Sequence, residues 1–178
     1  MTIKYPLFKV FSDVEGCLTN VREVLESGFI NEGEWVTRFQ KQLEARLETD
    51  QIILTNSCTS AITLALHLCD AHIPESQIRK SVVLSTPMTC VASNTPIVTV
   101  GADICWVDID PRTAMISRET VAAAIREATF KKITPLSAVG LDDGGRWNGV
   151  VPKALVGVNW AGTPMPLDEI SSLCQKER

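Results

Sequence analysis

The stretch "IILTNSCTSAITLALHL", residues 52–68, decides how the chain is read. Its apolar opening is too short for a helix, so Gln51 to Thr55 reads as a strand. Five small polar residues follow: Asn56, Ser57, Cys58, Thr59 and Ser60. From Ser60 to Cys69, Ala61, Leu64, Ala65 and Leu68 recur at helical spacing, which makes the whole a strand, a tight loop and an amphipathic helix. A helix N-terminus presents unpaired backbone N–H groups and a partial positive charge, so an anion, phosphate above all, is stabilised there. Small side chains let the anion approach, and the hydroxyls of Thr59 and Ser60 would add donors. The same residues also suit a plain helix cap, in which Asn56, Ser57 or Thr59 accepts a first-turn N–H. Both roles stay open at this point.

Upstream, residues 19–48 carry two helical patterns broken by Ser27-Gly28 and by Asn31-Glu32-Gly33. In the second, Trp35, Val36, Phe39, Leu43 and Leu47 share one face. Downstream, SVVLST (81–86) predicts a buried strand, MTCVASNTPIVTVG a helix ending at Gly101 with Pro96 inside it, and DICWVDID a strand closed by Asp110-Pro111. SRETVAAAIREATF (117–130) predicts a helix whose cap pairs Ser117 with Thr120 in place of the usual Glu. ITPLSAVGL and ALVGVNW read as strands around LDDGGRWNGVVPK, a surface loop or hairpin, and PLDEISSLCQKER begins a last helix.

Strands alternating with helices predict an α/β fold with a mostly parallel sheet and helices on both faces. The expected division is an N-terminal helical segment, 1–50, and an α/β part, 51–178. In such sheets ligands sit at the carboxyl ends of the strands, where loops meet helix N-termini. The opening stretch is one such junction.

Composition narrows the function. The 178 residues are 45% hydrophobic and 21% charged, with a net charge of -4, which fits one ordinary globular domain and excludes the basic face of a nucleic-acid binder. No apolar run approaches the ~20 residues of a membrane span, and MTIKYPLFKVFSD lacks the apolar core of a signal peptide. The expectation is a soluble cytoplasmic protein with no membrane partner. The six cysteines (Cys17, Cys58, Cys69, Cys90, Cys105, Cys174) form no C-x-x-C pair and read as buried, reduced thiols.

Neither G-x-x-x-x-G-K-[ST] nor G-x-G-x-x-G after a strand occurs, which disfavours the nucleotide-driven enzymes built on those loops. Cys58 as a nucleophile needs a nearby base. His67 lies roughly 13 Å away along the same helix at about 1.5 Å per residue, and His72 follows farther on, so a cysteine hydrolase is disfavoured. No candidate metal ligand set stands out.

Four blocks, TNSCTSAITLALHL, STPMTCVASNTPI, GADICWVDIDPRTAMIS and VNWAGTPMPLDEI, preceded by SGFINEGEWVTRFQKQLEARL, occur in this order over residues 27–170. Together they resemble the first half of the DegT/StrS family of pyridoxal-phosphate-dependent sugar aminotransferases. The resemblance implies part of the large domain of an aspartate-aminotransferase-type (fold type I) enzyme, pyridoxal phosphate as cofactor, and a homodimer. It also implies transfer of an amino group from glutamate or glutamine to a keto group on a nucleotide-linked sugar.

Carried over residue by residue, Cys58, Thr59 and Ser60 fall where the family holds the cofactor phosphate. Cys90 falls where relatives usually place an aromatic ring against the pyridine ring, and a thin, polarisable thiol stands there instead. Asn159 occupies a strand-end position near the cofactor face. No catalytic residue is carried over. Transamination needs a lysine that bonds the cofactor and a carboxylate that keeps the ring nitrogen protonated, and the lysines at 4, 9, 41, 80, 131, 132, 153 and 176 stand in none of the matching contexts. The expectation is an incomplete module, inactive alone, completed by another copy or a complementary chain. The alternatives are a non-catalytic α/β scaffold and a dehydratase using the same cofactor and fold.

Overall fold

The computed structural model describes residues 10–70, 81–130 and 152–176. Two compact units are present, 1–54 and 55–178.

The first unit holds α1 (Val14–Ser27) and α2 (Glu34–Leu47), as the two periodic patterns predict. Asp13 caps α1, its Oδ1 accepting the Gly16 N–H at 3.1 Å. A side chain at Gly16 would collide with that carboxylate, since an added Cβ would lie 2.5 Å from Asp13 Oδ2. Gly28 ends α1 in the left-handed region at φ 72°, where glycine is unstrained. Val14, Leu18, Val21 and Leu25 line one side of α1 and are all exposed. On α2, Trp35, Val36 and Leu43 are half-buried while Phe39 and Leu47 are exposed. Arg38 pairs with Glu34 at 2.6 Å and its guanidinium carbon lies 4.9 Å from the centre of the Trp35 ring.

The second unit contains a three-stranded parallel sheet in the order β2-β1-β3, with β1 at Val82–Ser85, β2 at Asp103–Trp106 and β3 at Ala154–Val156. Around it lie α3 (Cys58–Asp70), α4 (Val91–Thr99), α5 (Arg118–Phe130) and α6 (Leu167–Lys176). All four residues of β1 are buried, as a central strand covered on both faces requires. Alternation sorts them. Val82 and Leu84 join Cys105, Val107, Val121, Ala124, Ile170 and Leu173 on the side of α5 and α6. Val83 joins Leu66, Ile97 and Ala102 on the side of α3 and α4. Helices therefore cover both faces, as the alternating pattern predicts.

The cap of α5 forms as expected. Ser117 donates its N–H to Thr120 Oγ1 at 2.9 Å, and the Thr120 N–H returns to Ser117 Oγ at 3.3 Å. Threonine replaces glutamate in the box because its shorter side chain still reaches back over one turn.

Several expectations are corrected. Gln51 to Thr55 is not a strand: the segment is irregular, and Ile53 is 70% exposed. Among the described residues no strand pairs with it, and an apolar run without a ladder partner has nothing to hold it extended. The strand expected over DICWVDID ends at Trp106, because Asp110 and Arg112 form a turn in which Asp110 pairs back to Met115. ALVGVNW is a strand only to Val156. Gly157 breaks it where Met165 packs close, an added Cβ lying 2.7 Å from the Met165 Sδ. The cysteines are all free, but only Cys105 is buried. Cys174 is half-buried, and Cys17, Cys58, Cys69 and Cys90 are exposed: the last three sit at helix ends, and Cys17 lies on α1, which has no buried residue. The expected strand ITPLSAVGL and most of the loop 141–153 lie outside the described residues.

Candidate functional site

The loop before α3 is organised by Ser57. Its Oγ accepts the Ser60 N–H at 3.1 Å and its carbonyl accepts the Ala61 N–H at 3.1 Å, so Ser57 is the N-cap. Asn56 supports it: the Ser60 hydroxyl donates to Asn56 Oδ1 at 2.8 Å and stands 3.0 Å from Ser57 Oγ. Thr55 Oγ1 donates to the Ser57 carbonyl at 2.9 Å. The cap leaves the N–H groups of Cys58 and Thr59 at the first two helical positions, where no intrahelical acceptor exists.

Each carried-over residue has a definite place. Cys58 is exposed, and Thr59 and Ser60 are half-buried. Thr59 uses its carbonyl to accept from Thr63 Oγ1 at 2.9 Å, while its own hydroxyl is uncommitted among the described residues. The Ser60 hydroxyl, in contrast, is already engaged with Asn56. Free donors at this end are therefore two backbone N–H groups and one hydroxyl, and residues 55–63 carry no charged side chain. Those donors fit a phosphate ester: they sit among small residues in the first turn of a helix, at its positive end, with no carboxylate on their own segment.

Cys90 is exposed and stands at the N-cap of α4, with extended backbone and no side-chain capping bond. The loop leading to it leaves the carboxyl end of β1. Asn159 lies beyond the carboxyl end of β3. Its Oδ1 accepts the Met165 N–H at 3.0 Å and its carbonyl accepts the Gly162 N–H at 3.0 Å. Ala161 (φ 52°) and Gly162 (φ 79°) are both left-handed and turn the chain back on itself, which is what lets Asn159 reach Met165.

Because β1 and β3 are parallel neighbours, Cys90 and Asn159 rise from the same edge of the sheet, the edge where α/β folds bind ligands. Among the described residues no hydrogen bond joins either of them to the Ser57–Ser60 cluster. What ties α3 to that part of the fold is packing: Leu66 and Ile62 share a cluster with Val83 of β1 and Ile97 of α4.

One group of residues escaped the reading of the sequence. Ser85 ends β1, is fully buried, and places its Oγ 2.6 Å from Asn94 Oδ1 on α4 and 3.3 Å from the Val156 carbonyl on β3. Asn94 Nδ2 donates to the Thr86 carbonyl at 3.1 Å. The visible signal is only a serine closing an otherwise apolar strand.

The comparisons bear on the family and the fold. The family model described as the DegT/DnrJ/EryC1/StrS aminotransferase family matches residues 12–178. The chain is 30% identical over 142 residues to EpsN of Bacillus subtilis, which is assigned as a pyridoxal phosphate-dependent aminotransferase, covering 80% of this chain and 31% of that protein. It is 28% identical over 128 residues to the 3-oxo-glucose-6-phosphate:glutamate aminotransferase of the same organism, covering 72% of this chain and 27% of that protein. Among solved structures, the sugar aminotransferase CalS13 from Micromonospora echinospora superposes with a TM-score of 0.69 at 28% identity, over 97% of this chain and 39% of that one. The chain spans about a third of the length of the curated relatives it matches. A match along nearly the whole chain, on a parallel sheet with helices on both faces, places this protein in the DegT/DnrJ/EryC1/StrS aminotransferase family.

Proposed function

We propose that this chain is the cofactor-phosphate-holding part of a sugar aminotransferase, with pyridoxal phosphate as its cofactor and a keto sugar, in nucleotide-linked form, as the substrate of the complete enzyme. One observation carries the reading: the Ser57 cap leaves the N–H groups of Cys58 and Thr59 and the Thr59 hydroxyl as uncommitted donors at a neutral, small-residue helix end. In this reading those groups bind the phosphate, and Ser60 braces the loop through Asn56 rather than touching the anion. Cys90 offers a thin apolar contact to one face of the ring, and Asn159 lies near the other strand end. When bound, the cofactor supplies the electron-withdrawing ring that amino-group transfer requires. The pyridoxal phosphate dependence in the name of EpsN and the keto sugar and glutamate in the name of the second Bacillus relative support the cofactor, a keto-sugar substrate and a glutamate donor, while the nucleotide link rests on the family resemblance alone. The division into 1–50 and 51–178, the cytoplasmic location and the dimer belong to the same proposal.

A titration with pyridoxal phosphate, with inorganic phosphate as competitor and calorimetry as readout, tests the proposal. Competitive binding is expected, without transaminase turnover by the chain alone, because none of its lysines stands in a cofactor-bonding context. Absence of binding would reduce Ser57–Ser60 to a helix cap.

A second reading, an interaction module, is favoured by the apolar side of α1. Val14, Leu18, Val21 and Leu25 are each more than half exposed, flanked by exposed Phe11 and Phe29. Size-exclusion chromatography with light scattering is expected to show association that Leu18→Lys weakens. A strict monomer at all concentrations would count against this reading and against the family's dimer in this chain.

A further inference from the structure

The carboxyl ends of β1 and β3 are joined by side chains rather than by backbone alone. The Thr86 carbonyl only accepts, so it fixes the Asn94 amide with Nδ2 toward itself and Oδ1 toward Ser85. The Ser85 hydroxyl is then the donor in the 2.6 Å contact with Asn94. It has a single proton, and the Val156 carbonyl at 3.3 Å is its secondary partner. Asn94 therefore spans β1, the loop that follows it, and, through Ser85, the end of β3. The rest of that loop is pinned as well: Met88 N–H donates to Thr86 Oγ1 at 3.2 Å, and Thr89 Oγ1 and Ser93 Oγ lie 2.9 Å apart.

Burial alone does not call for this arrangement. Two apolar side chains would pack β1 against α4 with no polar group to desolvate. A half-buried amide bonded at both ends, one of them to the fully buried Ser85, adds something packing lacks, a fixed spacing between the parts it joins. The two loops held at that spacing deliver Cys90 and Asn159.

The geometry points to Asn94 as a positioning residue that sets the separation of the Cys90 and Asn159 loops, and so the width of the slot offered to a planar ring. This inference rests on the cofactor reading proposed above. It makes a distinction that a merely structural role does not make. In that reading the phosphate donors lie at the start of α3 and share no hydrogen bond with Asn94 among the described residues, whereas the ring lies at the loops that Asn94 spaces.

The test compares pyridoxal phosphate and inorganic phosphate binding to the parent chain, Asn94→Ala, Ser85→Ala and the control Ile97→Val, which removes one buried methyl from the same helix. Alkylation of Cys90 by iodoacetamide, followed by mass spectrometry, gives a readout independent of any cofactor. Asn94→Ala takes away the main acceptor of the buried Ser85 hydroxyl and is expected to weaken pyridoxal phosphate binding about tenfold, to leave inorganic phosphate binding unchanged, and to change the Cys90 alkylation rate severalfold. Ser85→Ala, the milder change, keeps the inference testable should Asn94→Ala fail to fold, and is expected to shift both readouts in the same direction. Ile97→Val is expected to match the parent chain in all three.

Asn94 and Ser85 variants that keep parental pyridoxal phosphate affinity and Cys90 reactivity would overturn the inference while leaving the cofactor reading intact. Loss of both ligands together in Asn94→Ala would also overturn it, since that is the mark of a general structural role. A parent chain that binds neither ligand would overturn the cofactor reading and, with it, the role assigned here to Asn94.

Discussion

Ser57 Oγ accepts the backbone N–H of Ser60 at 3.1 Å, and this one bond determines which amides at the start of α3 remain free. It satisfies the third N–H of the helix and leaves those of Cys58 and Thr59 for an outside acceptor. Capping and anion binding are thus complementary uses of one helix end. Ser57→Ala is expected to cost about 1 kcal/mol in chemical denaturation. Ser57→Asp separates the two uses: aspartate still caps and its charge suits the helix dipole, so stability holds or rises, while phosphate binding falls through repulsion. Calorimetry showing undiminished phosphate binding in Ser57→Asp would place the anion elsewhere.

Much of this end of the fold was legible in the sequence, and the reason is locality. The small residues 56–60 and the Ser117–Thr120 box express contacts within a turn or two of helix. The face expected for α3, in contrast, is corrected: Leu64, Ala65 and Leu68 are exposed, and Leu66 with Ile62 packs on the core. The helix is apolar nearly all round, and spacing alone does not choose its buried side. The choice of Ser57 over Asn56 or Thr59 as the cap was not legible, because all three suit the role and only backbone geometry separates them. Gln51 to Thr55 misled because an apolar run says nothing about whether a partner strand lies beside it. Ser85, Asn94 and Val156 were invisible as a group, since a side-chain tie between residues 71 apart leaves no periodic trace.

Cys105 is the one buried thiol, with its Sγ 3.8 Å from the Ala124 carbonyl. Burial, with a smaller contribution from Glu127, pushes its pKa up from 9.0 to about 11. The folded state therefore holds this proton more tightly than the unfolded state does. The associated stability is intact below about pH 9 and is lost as pH rises toward about 11. Denaturant midpoints measured across that window should fall more steeply for the parent than for Cys105→Ala. Thiol reagents at neutral pH should modify Cys17, Cys58, Cys69 and Cys90 quickly and Cys105 only on unfolding. Early modification of Cys105 would contradict its burial.

Glu48 ends α2 in the left-handed region at φ 54°, a conformation that a side chain makes costly. Glycine adopts it freely, so Glu48→Gly is expected to raise stability by about 0.5–1 kcal/mol despite the added freedom of the unfolded chain. Glu48→Ala keeps the Cβ and should not. Thermal denaturation of the two variants distinguishes backbone strain from loss of the carboxylate, since both remove the charge and only one relieves the strain.

Gly157 and Met165 meet where β3 gives way to the Asn159 turn, and the contact is tight enough that no side chain fits at 157 while Met165 stays in place. A Cβ there would lie 2.7 Å from Met165 Sδ and 2.8 Å from its Cε. The clash falls on the far end of a flexible side chain, which can swing away, so Gly157→Ala is expected to cost only about 1 kcal/mol. Gly157→Val asks for more room and should cost more. Met165 also donates its N–H to Asn159 Oδ1, so a displaced Met165 carries the strain into the turn that holds Asn159. Met165→Ala alone should lose packing against the cluster that includes Leu84 and Ile116. In the double variant, Gly157→Ala with Met165→Ala, the clash no longer exists, and the combined cost is expected to fall about 1 kcal/mol below the sum of the single costs. Strict additivity in the double-mutant cycle would show that Met165 does not confine residue 157. The absence of a side chain at Gly157 would then owe nothing to the packing of Met165 beside the Asn159 turn.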